Sequence, residues 1–185
     1  MTKENPLYKR LFGRIPLQSA FSFLIFSKGG KVQRLMHELK YNNHPEIGMV
    51  MGKVYGDELA KDGFAGMFDL ILPIPLHPSK QRQRGYNQSE KFALGLADKL
   101  RVPCVTEALH RQVKTDTQTR KSKLKRWENV KDVFVVQNQE VIKNKSILLV
   151  DDVITTGATV EACALSLRQA HCKTISICSM AYAEE

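Results

Sequence analysis

The sequence predicts an α/β fold with a mostly parallel central sheet flanked by helices. Two observations carry this. Residues 68–74 (FDLILPI) and 146–150 (SILLV) are short apolar runs without polar alternation, as expected of strands covered on both faces. Between such runs lie segments whose apolar residues recur at helical spacing, and alternation of strands with helices is the pattern of parallel βαβ units.

The elements follow in order. Residues 1–19 show no clear period and read as an N-terminal extension, and 20–185 as the domain. Residues 20–27, rich in Phe and Ile, predict a strand. Gly29 and Gly30 break the chain. Val32, Leu35, Met36 and Leu39 then fall at i, i+3, i+4 and i+7, a short amphipathic helix. Lys40 stands at its end, where a cation complements the helix dipole. Asn42, Asn43 and Pro45 mark a turn. A second helix over about residues 46–61 carries Ile47, Val50, Met51 and Val54 on one face.

The strand at 68–74 leads into a Pro-punctuated basic loop at 75–86. Asn87 and Glu90 have the spacing of a capping box, and the helix behind them carries Phe92, Ala93, Leu96 and Leu100. Further strands are expected at 102–106, 133–136 and 174–180, with a helical patch at 124–129. The strand at 146–150 enters a turn at 151–157, then a helix bearing Val160, Cys163, Ala164 and Leu167.

Composition narrows the class. The chain has 185 residues, enough for one domain plus a short extension. Its longest apolar run near the N-terminus, at 20–26, has 7 residues against the roughly 20 of a bilayer span, and the first residues lack an apolar signal core. A cytoplasmic protein with no membrane partner is expected. The four cysteines, Cys104, Cys163, Cys172 and Cys178, form no C-x-x-C pair, so they read as reduced small hydrophobes and no zinc is expected. The net charge of +9 is concentrated: Lys80, Arg82 and Arg84 supply +3, residues 111–126 supply +6, and the rest is neutral. Such clustering suggests a polyanionic partner.

The strongest signal is residues 147–159, ILLVDDVITTGAT. A buried strand ends in two carboxylates, a Thr/Gly turn follows, and a helix starts. The helix N-terminus offers unpaired N–H groups and partial positive charge to a phosphate. Gly157 allows close backbone approach, and Thr155, Thr156 and Thr159 add hydroxyl donors. Asp151 and Asp152 would accept hydrogen bonds from a cis-diol and help hold Mg2+, directly or through water. The order reads as a ribose 5-phosphate site.

This stretch resembles the 5-phosphoribosyl-1-pyrophosphate (PRPP) signature of type I phosphoribosyltransferases. Residues 37–41 (HELKY), 72–88 (LPIPLHPSKQRQRGYNQ) and a third block containing Arg111, Thr117, Gln118, Arg126, Asn129 and Phe134 narrow the likeness. Together they resemble the ComF family, phosphoribosyltransferase-like proteins linked to DNA uptake in bacterial competence. The likeness covers roughly residues 20–182. Many ComF proteins begin with a four-cysteine zinc finger; this chain has none.

The resemblance implies a type I phosphoribosyltransferase fold that binds PRPP with Mg2+. The ribose and 5-phosphate would lie at Asp151, Asp152, Val153, Thr155, Thr156, Gly157, Ala158 and Thr159, with Asp151 and Asp152 as the catalytic and Mg2+-associated pair. Pyrophosphate would lie at Ile74, Pro75, Leu76 and His77, with Lys80, Arg82 and Arg84 as a cationic clamp. Arg111, Lys114, Gln118, Arg120 and Arg126 fall where type I enzymes carry a hood over the site. Two functions stay open. One is phosphoribosyl transfer to an acceptor that no segment identifies. The other is a non-catalytic module that binds PRPP and handles single-stranded DNA on the basic hood, with Tyr86 or Trp127 for base stacking. Proteins of the competence machinery are further candidate partners.

Overall fold

Four apolar segments line up as one parallel sheet, covered on both faces at residues 70–73, 147–150 and 175–182. The computed structural model describes residues 5–112 and 133–184. Lys114, Gln118, Arg120, Arg126, Trp127 and the expected helical patch at 124–129 lie outside the described residues. In chain order the elements are α1 (Pro6–Leu11), β1 (Ser19–Phe26), α2 (Lys31–Tyr41), α3 (Pro45–Lys61), β2 (Leu70–Pro73), α4 (Pro78–Arg84), α5 (Gln88–Leu100), β3 (Leu109–Arg111), β4 (Phe134–Val136), α6 (Gln139–Ile142), β5 (Ser146–Ile154), α7 (Ala158–Gln169) and β6 (Thr174–Ala183).

The sheet order is β1-β6-β5-β2, and every pairing in it is parallel. Side chains alternate between its faces, as the strand period requires. Ile147 and Leu149 of β5 join the cluster containing Leu7, Leu11, Val160 and Leu167. Leu148 and Val150 join the opposite one, with Leu39, Leu59, Phe92 and Leu96. Both faces are therefore sealed, which explains the unbroken apolar runs. Among the described residues no helix is long and apolar enough to cross a membrane.

Several expectations need correction. The basic loop at 75–86 contains a helix, α4, because Pro78 opens it and His77 caps it: His77 Nδ1 accepts from the Ser79 N–H at 3.2 Å. Residues 102–106 contribute one bridge, Ile71 to Cys104, in place of a full strand. Residues 134–136 pair antiparallel with β3 in a separate two-stranded sheet. Residues 5–18, where no period is visible, include α1, whose Leu7, Tyr8 and Leu11 are buried in the core.

The most consequential difference concerns β5. Polar residues at 151–152 suggested a turn, yet the strand continues to Ile154 because β6 keeps pairing with it, up to Ile154 opposite Tyr182. Its other neighbour, β2, ends at Pro73 opposite Val150. The last residues of β5 therefore overhang the sheet beside an open flank. α5, which lies between β2 and β5 in the chain, and α7, which follows β5, pack on opposite faces. Such a switch point opens a crevice at the carboxyl ends of the strands.

Candidate functional site

The overhang of β5 carries Asp151 and Asp152 into that crevice, both half-buried. Asp151 Oδ1 accepts from Ser89 Oγ at 3.1 Å and from the Asp152 N–H at 2.9 Å. Asp152 Oδ1 accepts from the Val153 N–H at 2.7 Å, and its Oδ2 lies 2.8 Å from Lys40 Nζ. Burial and the neighbouring Asp152 carboxylate push the Asp151 carboxyl up to about 7, against the opposing pull of the Asp152 N–H, Ser89 and Lys40.

Lys40 arrives from the end of α2, and its side chain is 21% exposed against 16% for Asp152. The dipole-complementing role expected from sequence is therefore secondary to an ion pair inside the site. The same helix end is tied to the basic segment: Arg84 lies over the Tyr41 ring at 5.3 Å, and the Tyr86 hydroxyl donates to the Leu39 carbonyl. Tyr86 is buried, so it offers no stacking surface to a nucleic acid base.

After β5, Thr155, Thr156, Ala158 and Thr159 are exposed and Gly157 is buried. Gly157 has φ +79° and caps α7; a Cβ there would stand 2.6 Å from Leu11 Cδ2. Only glycine meets both demands, the left-handed backbone and the close approach. With a glycine at the N-cap, no N-cap side chain takes the first-turn N–H groups of α7. Arginines of the N-terminal segment hold the loop by its carbonyls. Arg10 Nη1 donates to the Thr155 carbonyl at 2.6 Å and the Ala183 carbonyl at 3.0 Å. Arg14 Nη1 donates to the Thr156 carbonyl at 2.6 Å, while its Nε and Nη2 reach Glu161 Oε2 at 3.1 and 2.5 Å.

The loop after β2 is fixed by α5. Asn87 caps that helix, its Oδ1 accepting from the Ser89 N–H at 3.1 Å, and its Nδ2 donates to the Ile74 carbonyl at 2.9 Å. One side chain thus joins the segment containing Ile74, Pro75, Leu76 and His77 to the helix that presents Ser89 to Asp151. On α4, Lys80 and Arg84 share a face at i, i+4 spacing, whereas Arg82 falls about 200° away from Lys80. Lys80 and Arg82 are exposed, and Arg84 donates to Gln88 Oε1 at 2.9 Å. Of the proposed hood, Arg111 is described: it sits on β3 with its guanidinium 5.5 Å from the Phe134 ring centroid.

The structure therefore brings Asp151 and Asp152 together with Lys40 and Ser89, and joins Ile74 to Asn87. Ser89, Arg10, Arg14 and Glu161 were missed in the sequence. Ser89 stands two positions after Asn87, within reach of a capping argument. Arg10 and Arg14 lack any local signal, since their partners stand some 150 positions later.

A family model described as "Phosphoribosyl transferase domain" matches residues 87–185. The chain belongs to that family. This phosphoribosyl transferase domain is 32% identical over 116 residues to Competence protein F of Haemophilus influenzae, covering 62% of this chain and 51% of that protein. It is 30% identical over 138 residues to the DNA utilization protein YhgH of Escherichia coli (strain K12), covering 72% and 60% respectively. The ComF resemblance is borne out by these homologues. The chain spans little more than half the length of the relatives it matches. Among solved structures, a Bacillus subtilis glutamine PRPP amidotransferase complexed with ADP and GMP superposes with a TM-score of 0.55 at 20% identity, over 78% of this chain and 30% of that one. That likeness, with the parallel four-stranded sheet, establishes the type I phosphoribosyltransferase fold.

Proposed function

We propose that this domain binds PRPP with Mg2+ in the crevice beyond β5 and promotes departure of pyrophosphate from the ribose. The observation that carries the reading is the acid pair on the β5 overhang, followed directly by a loop whose threonines are exposed and two of whose carbonyls accept from Arg10 and Arg14. The ribose hydroxyls donate to Asp151 and Asp152. The 5-phosphate takes the loop N–H groups and the hydroxyls of Thr155, Thr156 and Thr159. The pyrophosphate lies along Ile74 to His77, near Lys80, Arg82 and Arg84.

Two adjacent carboxylates are a donor set suited to Mg2+, which is typically held by one or two carboxylates plus substrate phosphates. Among the described residues no cluster of three metal-ligating side chains occurs, so the ion would enter with PRPP. It supplies charge neutralisation to the leaving pyrophosphate. The chain's contribution is positioning and preorganised electrostatics. Lys40 pairs with Asp152 at 2.8 Å, and Ser89 with the Asp152 N–H stabilises the charged form of Asp151.

A second reading keeps PRPP binding and assigns the protein to handling single-stranded DNA, with proteins of the competence machinery as partners. The +6 carried by residues 111–126 and the competence and DNA-utilization names of the homologues favour it. The deciding experiment is pyrophosphate release from PRPP with Mg2+ against a panel of nucleobases, ammonia and single-stranded DNA. Turnover with any acceptor selects the enzyme. PRPP binding without turnover, together with salt-sensitive DNA binding, selects the module.

A further inference from the structure

We infer that Arg10 and Arg14 are positioning residues for the 5-phosphate, acting through the backbone of the loop after β5; this rests on the PRPP reading above. In a trans peptide the carbonyl and the N–H point in opposite directions. The Thr155 carbonyl shares its peptide with the Thr156 N–H, and the Thr156 carbonyl with the Gly157 N–H. By drawing both carbonyls toward the N-terminal segment, Arg10 and Arg14 turn those two N–H groups to the opposite side of the loop. They also remove two partial negative charges from the path of an incoming phosphate.

Each guanidinium is itself held. Arg10 is fixed by the Ala183 carbonyl and by the Tyr182 ring, 4.6 Å from its centroid. Arg14 is fixed by Glu161 in the first turn of α7, which takes two of its nitrogens and leaves Nη1 for Thr156. Leu11 stands where a Cβ of residue 157 would be, closing the loop against the segment that bears both arginines. The N-terminal segment is thus the back wall of the phosphate site, with specificity for the phosphate end of the ligand and none for its pyrophosphate end.

The test is calorimetric titration of ribose 5-phosphate and, separately, of pyrophosphate with Mg2+ into the full chain and an Arg10→Ala, Arg14→Ala double variant. Ribose 5-phosphate affinity is expected to fall about tenfold, the scale of one or two lost charge-assisted hydrogen bonds, with partial rescue by added guanidinium. Pyrophosphate affinity is expected to stay within about twofold. Equal losses for both ligands, or no loss for ribose 5-phosphate, overturn the positioning role. Should the double variant fail to fold, Arg14→Met alone decides: it keeps an unbranched apolar stem but has no N–H to give the Thr156 carbonyl, so unchanged ribose 5-phosphate affinity overturns the inference. A wild-type chain that binds neither PRPP nor ribose 5-phosphate instead defeats the PRPP reading itself.

Discussion

The loops that follow β2 and β5 meet at the same crevice but are held in different ways. The β2 loop is secured by its near neighbours: Asn87, thirteen positions on, bonds the Ile74 carbonyl, and His77 caps α4. The β5 loop is secured by residues from the far end of the chain, with Arg10 and Arg14 about 145 positions away. The first loop leads into α4, which leaves Lys80 and Arg82 in solvent, where on the PRPP reading long cations can follow a departing pyrophosphate. The second buries Gly157 against Leu11, which on the PRPP reading proposed above suits a site that retains its anion. A leaving group and an anchoring group need different degrees of fixation.

Removing the anchoring chemistry outright is expected to have the largest effect. Asp151→Ala with Asp152→Ala should abolish the rise in melting temperature produced by PRPP with Mg2+. At 100 times Kd that rise corresponds to about 2.7 kcal/mol for the native chain. Unchanged circular dichroism would show that the fold persists; a retained shift would break the assignment of the pair.

Next come substitutions that loosen each loop. Gly157→Ala places a methyl against Leu11 at a left-handed backbone position, and should cost about 1–3 kcal/mol in a denaturant titration. Asn87→Ala removes a helix cap and the bond to Ile74, at about 1–2 kcal/mol. The contrast sharpens in binding: Gly157→Ala should weaken ribose 5-phosphate more than pyrophosphate, and Asn87→Ala the reverse.

The smallest effect is a pH dependence. The Asp151 carboxyl is raised from 3.8 to about 7, first by burial and then by Asp152. Between those values the folded chain holds a proton that the unfolded chain has lost, so this group's contribution to stability falls as pH rises from about 4 through 7. Binding of a Mg2+ complex favours the carboxylate. PRPP–Mg2+ affinity should therefore rise across the upper part of that window, with release of up to about one proton. Calorimetry in buffers of different ionisation enthalpy measures it, and proton uptake would contradict the role given to Asp151.

Much of this molecule is legible in its sequence because burial leaves a pattern. FDLILPI and SILLV have no polar alternation, since both faces of the sheet are covered, and the order of acids, Thr/Gly loop and helix survives as a contiguous signature. What was hidden depends on partners that local sequence does not carry. Asp151 and Asp152 look like turn residues until β6 is seen pairing beside them. Lys40 looks like a helix-end cation until Asp152 is placed 2.8 Å away. Residues 5–18 have no period because α1 is a single short turn of packing, with Leu7 and Leu11 on the core side.

The pairing of β1 with β6 has a consequence for the order of folding. Ser19 lies opposite Ser176 and Phe26 opposite Ala183, so the first strand has no sheet partner until the last one exists. Such long-range parallel closure is entropically slow. During synthesis, the apolar residues of β1 and the arginines that hold the loop after β5 must wait until β6 has emerged. Loss of residues 176–185 would leave β1 without its sheet partner and Arg10 without the Ala183 carbonyl, exposing a hydrophobic edge prone to self-association.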